Sequence, residues 1–231
     1  MFHEIEPLRP SLKPPAAERC ADQTFEIGTD LLSGRDFPMA VKWLQRSYDV
    51  LNDQELDKMS RDGIEMRLAI AEALVKALLG IQTTDAHDRA WNLVQYIESE
   101  MGDHLVVLLL RLEILNHAPA ETFDADTYAD VLRRMIRSFN HQEPNFKSLM
   151  GNIRKLHDKS PSVGVRLLDE FLLTLVGEEQ NDSWVENLVI NRIWMITSQT
   201  DSDSTIDEAR TLLKKLPKPL SVEATIAAQT V

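Results

Sequence analysis

Residues 27–51, IGTDLLSGRDFPMAVKWLQRSYDVL, decide the fold class. Two stretches of helical character flank a short break in which Gly34 follows the first and Pro38 opens the second, the usual stop and start signals of consecutive helices. A tetratricopeptide unit asks for a Leu-Gly pair, an aromatic residue three positions later, then an alanine with an aromatic residue four beyond it. Ile27-Gly28, Leu31, Ala40 and Leu44 occupy those spacings. Aliphatic residues stand where the pattern has rings, so the match lies in spacing more than in identity.

Working outward, the face beginning at Ala40 recurs. Residues at i, i+4, i+7 and i+11 share one helical stripe, and they read Ala40, Leu44, Ser47, Leu51, then Ala90, Val94, Ile97, Met101. Further on come Gly164, Leu168, Phe171, Leu175 and Ala209, Leu213, Leu216, Leu220. A small residue leads each stripe. Tyr128, Leu132, Met135 and Phe139 keep the spacing with a ring in front. Gly28, Ala40, Ala90, Tyr128, Gly164 and Ala209 are therefore the expected repeat-packing positions, where slim side chains let helix axes approach. Ile64, Leu68, Ala71, Val75, Leu78 and Val185, Val189, Ile193, Ile196 mark the faces of partner helices. The expectation is an all-α, right-handed superhelical α-solenoid of about five tetratricopeptide-like hairpins. Segment 104–116, apolar nearly all round, should be covered on more than one side and lie mid-stack.

The chain is 43% hydrophobic and 27% charged, which describes a globular protein, and its 8 glycines and long apolar runs without alternation exclude an all-β fold. Pro7, Pro10, Pro14 and Pro15 read as a disordered leader over 1–17, the repeats span 18–216, and 217–231 is a tail or the start of another repeat. Other helix starts are expected after Asp85, at Ser160-Pro161 and at Ser204. A lone cysteine, Cys20, allows no internal disulfide, and the aliphatic run Leu105–Leu110 is too short to span a membrane, so a soluble intracellular protein without membrane association is expected.

No phosphate-loop glycines, nucleophile elbow or H-E-x-x-H pattern appears, so neither an enzyme, nor a cofactor, nor a small-molecule substrate is expected. His87-Asp88 and His157-Asp158 suggest a helical metal-dependent hydrolase only if an upstream His and a distal Asp complete the set; their spacing fits capping instead. Trp43, Trp91, Trp184 and Trp194 fall within helices and read as packing residues. Charge is distributed unevenly. The formal balance is −12, which repels a phosphate lattice and argues against sequence-specific nucleic-acid binding, yet residues 133–166 hold eight basic and two acidic residues. Arg133, Arg134, Arg137, Lys147, Arg154 and Lys155 are the candidate partner-docking patch, the alternative being a solvated helix face. Asp22, Phe25, Glu26 and Thr29 on the first hairpin lack the Lys and Asn of a chaperone-tail clamp.

Five blocks in order, IGTDLLSGRDFPMAVKWLQRSYDVL, HLVVLLLRLEIL, DVLRRMIRSF, IRKLHDKSP and NRIWMIT, resemble the fungal branch of the meiotic Zip-four family, also named for sporulation protein twenty-two. The resemblance covers about residues 20–216. It implies a tetratricopeptide scaffold in meiotic prophase, linking crossover-designated recombination intermediates to synaptonemal complex assembly. It also implies a nuclear, chromosomal location, recombination and synapsis proteins as partners, among them a junction-binding nuclease-like pair, and no catalytic residues to transfer. Members of that family are several times longer, so the chain resembles one segment of their repeat array. An adaptor in a non-meiotic pathway is the alternative, since fold does not fix function.

Overall fold

The computed structural model describes residues 12–118, 120–175, 182–198 and 203–214, together with Thr225. Among these residues there are ten α-helices and no strand. The chain divides into two compact units, Met1–Ala118 and Pro119–Val231.

The first unit holds α1 (Pro14–Ser33), α2 (Phe37–Asn52), α3 (Arg61–Ile81), α4 (Thr84–Met101) and α5 (Leu105–Asn116). Each packs on its neighbour in sequence, and α1 also touches α3, as α3 touches α5. The α1 helix takes in Pro14–Ala17, which the sequence places in the leader. Proline is compatible with a first helical turn because that turn's N–H groups have no intrahelical partner, and Ala17 is fully buried, so the segment has something to pack against. Residues 1–11 and 215–224 lie outside the described residues, and with them Leu216 and Leu220 of the last stripe. Capping follows the polar punctuation: Asp36 accepts from Met39 N–H, Ser60 from Gly63 N–H, and Thr83 from Ala86 N–H. That last cap places Asp85 inside the first turn of α4 rather than before it. Gln82 and Gly102, with φ of 59° and 64°, end α3 and α4.

The stripe led by Ala40 is completely buried, and so is Ala90. Ideal Cβ geometry at Gly28 would put that atom 2.6 Å from Leu44 Cδ2 and 3.3 Å from Leu44 N, so the Leu44 side chain fills the space that a side chain at position 28 would need where α1 crosses α2. Ser47 Oγ donates to Ala21 O at 2.7 Å across the same crossing. On α5, Val107, Leu110 and Ile114 belong to the core of this unit; Leu108 and Leu112, about 100–140° round the helix, are buried too. This helix is the last of its unit. Arg67 is buried between three helices: its Nη2 lies 2.6 Å from Asn52 Oδ1, 2.6 Å from Glu100 Oε2 and 3.4 Å from Tyr48 Oη. Burial pushes the Tyr48 phenol up, with Arg67 pulling the other way.

The second unit holds α6 (Ala125–Arg137), α7 (Glu143–Lys159), α8 (Pro161–Leu175), α9 (Asp182–Thr197) and α10 (Asp203–Lys214). Here α6, α7 and α8 touch one another, α9 packs on α8, and α10 packs on α9. Tyr128 is buried on α6, its hydroxyl donating to Asn152 Oδ1 at 3.1 Å. Ala209 is fully buried against Val189, Ile193 and Ile196. Gly164 meets the backbone of α7: an ideal Cβ there would lie 2.7 Å from His157 Cα and 2.9 Å from His157 N. Trp194, expected to pack, is 49% exposed, while Trp43, Trp91 and Trp184 are half-buried. Its side chain sits on the solvent side of α9 because the buried stripe of that helix is carried by Val189, Ile193 and Ile196.

Candidate functional site

The basic segment 133–166 spans α6, α7 and the start of α8, and the fold sorts its cations into two kinds. Arg133 reaches across to α8, its Nε 2.7 Å from Glu170 Oε2 and its Nη2 3.1 Å from Oε1, while Nη1 lies 2.6 Å from Asp130. This two-pronged grip raises the arginine further above its ordinary value and holds the Glu170 carboxyl below the usual carboxylate range. Arg166 pairs with Asp126 at 3.1 Å, and Lys159 lies 4.2 Å from the centre of the Phe123 ring. These cations are engaged in holding the unit together. Arg134 is half-buried on α6. Arg137 and Lys155 are exposed, and neither has an ion pair among the described residues.

Lys147 and Arg154 differ from both groups because they line a groove of about 510 Å³ between α7 and α9. Phe146 and Met150 from α7 and Trp184 from α9 form its apolar floor. Trp184 packs with its ring centre 4.7 Å from Phe146 and edge-on to Phe139 at 5.9 Å, so aromatic contacts fix the start of α9 against α7 and the segment that follows α6. The walls are polar. Lys147 Nζ lies 2.6 Å from Glu143, an exposed pair one turn apart that contributes little to stability and is free to exchange. Arg154 donates from Nε and Nη2 to the Asn191 carboxamide oxygen, which fixes the guanidinium plane across the groove and leaves Nη1 without a partner among the described residues. Asn191 and Asn187 each donate to the carbonyl four residues back, at 2.7 and 2.8 Å.

Gly151 completes the floor. It stands mid-helix in α7, where glycine disfavours helix by about 1 kcal/mol relative to alanine, and a Cβ built on it would meet nothing within 4 Å. No crossing helix explains it. Its missing side chain keeps the groove open. The sequence reading names Lys147 and Arg154 but not Gly151, Asn187 or Asn191. Two signals for them are present in the chain: a glycine inside a helical stretch, and asparagines four apart on one face of a helix.

His87 and Asp88 lie in the opening turns of α4, and His157 is buried on α7 beside Gly164. Among the described residues no group of three or more His, Cys, Asp or Glu side chains is placed to hold a metal ion, and no helix is long and apolar enough to cross a membrane. Comparison with curated proteins and with solved structures finds no match. The family model for the meiosis protein SPO22/ZIP4 like group matches residues 1–231, the whole chain, and the protein therefore belongs to that family of meiosis proteins.

Proposed function

We propose that this chain is a non-catalytic protein-binding scaffold that acts on meiotic chromosomes in the nucleus, promoting crossover recombination and synaptonemal complex assembly by holding recombination and synapsis proteins. The match to the meiosis family over the whole chain carries the reading. Two structural observations support it. Within each unit helices pack on their sequence neighbours and, for α1 with α3, α3 with α5 and α6 with α8, on the helix after that, which is the contact pattern of tetratricopeptide-like hairpins laid one upon the next. Such stacking presents helix faces to partners and does not gather side chains into a reaction centre. The α7–α9 groove is one such face, open to solvent and lined by both apolar and cationic groups.

The test is localisation with a recombination readout. The chain is tagged at its own locus, and spread nuclei from meiotic prophase are stained together with a chromosome-axis marker. Discrete foci along the axes, with fewer crossovers when the gene is deleted, are the expected result. A tag that stays off prophase chromosomes, or crossover numbers unchanged by deletion, overturns the proposal.

A further inference from the structure

We propose that the α7–α9 groove binds an extended, acidic peptide segment of a partner protein, Lys147 and Arg154 receiving two carboxylates three residues apart and the Phe146, Met150 and Trp184 floor receiving the aliphatic side chain between them. This deepens the scaffold reading and rests on it for the partner's being a protein.

Spacing selects the ligand. Lys147 and Arg154 are two turns apart on α7, roughly 10 Å along the helix at 1.5 Å per residue. A peptide in the extended polyproline II conformation turns once in three residues and rises about 3.1 Å with each, so side chains at i and i+3 share one face roughly 9 Å apart and meet the two cations together. Gly151 lies between them, and the space above it is what an aliphatic side chain would fill. Asn187 supplies the backbone contact: its amide nitrogen is engaged with Ser183 O, while its carboxamide oxygen has no donor among the described residues and can accept a peptide N–H. Charge complementarity fixes the sign. An acidic ligand is repelled by a chain with a net charge of −12 almost everywhere except in the segment that supplies these two cations. A nucleic-acid strand would share the attraction to Lys147 and Arg154, but the groove wall also carries Glu143, and half of its lining is apolar, which suits a side chain better than a sugar-phosphate track.

The experiment is a selection in vitro with the full chain. A bead-displayed library of random octapeptides is panned against the wild type, and the consensus peptide, labelled with fluorescein, is then titrated by anisotropy. Enrichment of Asp or Glu at positions three apart, flanking an aliphatic residue, is expected. Lys147→Glu with Arg154→Glu should weaken the consensus peptide at least tenfold. Gly151→Leu should do the same by plugging the groove while the melting temperature holds or rises, which separates occlusion from unfolding. Lys155→Glu, next to the groove but not lining it, should change affinity less than twofold. Selection without acidic enrichment, binding indifferent to the Gly151→Leu plug, or tighter binding of a fluorescein-labelled oligothymidine than of the peptide would each overturn the assignment. Chromosome foci are read in cells and the groove is read with purified protein, so either result can fail while the other stands.

Discussion

Alanine introduced at Gly164 and at Gly151 should change stability in opposite directions, although the substitution, the helical context and the unit are the same. An alanine in a helix interior is favoured over glycine by about 1 kcal/mol because it costs less chain entropy and leaves less backbone exposed to water. At Gly151 nothing lies within 4 Å of the added methyl group, so that gain is realised nearly in full. At Gly164 the methyl group meets His157 Cα at 2.7 Å and His157 N at 2.9 Å, where carbon contacts normally begin near ~3.5 Å. The obstacles are backbone atoms of α7 and cannot rotate away. The two helices must part by roughly 0.8 Å, a gap that forfeits a quarter to a half of each dispersion contact along the crossing, and overpacking of this kind costs about 1–3 kcal/mol or somewhat more. Net of helix propensity, Gly164→Ala should destabilise by up to about 2 kcal/mol and Gly151→Ala should stabilise by about 0.5–1 kcal/mol. For a unit of this size each kcal/mol moves the midpoint by roughly 4 °C. Thermal unfolding followed by circular dichroism at 222 nm should therefore place the two variants' transitions on opposite sides of the wild type, roughly 8 °C apart. A Gly164→Ala protein that melts at or above the wild type would refute the close crossing of α7 and α8.

A double-mutant cycle tests the other crossing: Gly28→Ala should destabilise alone, Leu44→Ala should cost about 3 kcal/mol, and the double variant should be more stable than the sum by at least 1 kcal/mol, because shortening Leu44 removes the 2.6 Å clash, as urea titration would read. Arg67→Ala should cost about 3 kcal/mol by leaving Glu100 half-enclosed and unpaired, and Arg67→Met combined with Glu100→Gln should recover most of it; equal loss in both variants would mean that the guanidinium acts through packing alone. The Glu170 carboxyl, held low by Arg133, contributes stability that is complete above the ordinary glutamate value near ~4.3 and disappears as pH falls through its lower native value. Arg133→Gln should accordingly flatten the stability–pH curve below about pH 4.3, with a loss of only about 0.5–1 kcal/mol at neutral pH for so exposed a pair, and an acid limb unchanged from wild type would remove this pair from the account.

Helical class and buried faces were legible in the chain because both are local. A stripe at i, i+4, i+7 and i+11 needs only the pitch of a helix to be recognised, and the residues leading the stripes are buried wherever they are described: Ala40, Ala90, Tyr128, Gly164 and Ala209. Trp194 was misread by the same logic, since membership of a helix says nothing about the side on which an indole falls when smaller residues already fill the stripe. The groove was illegible for a different reason. Its two walls come from helices whose contacting residues, Arg154 and Asn191, are 37 positions apart, and no local pattern reports that α7 and α9 both pack on α8. The basic run had the same difficulty. Counting charges within 133–166 finds an excess of cations, but Glu170 and Asp126, which take up Arg133 and Arg166, come from either side of the window.

Small residues and arginines divide the work of defining the crossings. Gly28 and Gly164 set how near two helices come; buried or half-buried arginines set which residues face one another once they are near. Arg67 joins α3 to α2 and α4, Arg111 joins α5 to Glu98 of α4, Arg192 joins α9 to Asp169 of α8 and Glu208 of α10, and Arg133 joins α6 to Glu170 of α8. Such pairs add little net stability, since desolvation offsets most of the attraction, but a shifted register that strands one partner costs about 3–5 kcal/mol and is thereby excluded. The same division separates framework cations from those open to a partner. A cation whose carboxylate partner lies on another helix is fixing that register and is less available to a ligand. Lys147 and Arg154 have none: one pairs only within its own exposed turn, the other leans on a neutral amide, and both border open space over a glycine. At the α7–α9 groove, cations without a carboxylate partner on another helix border an open volume.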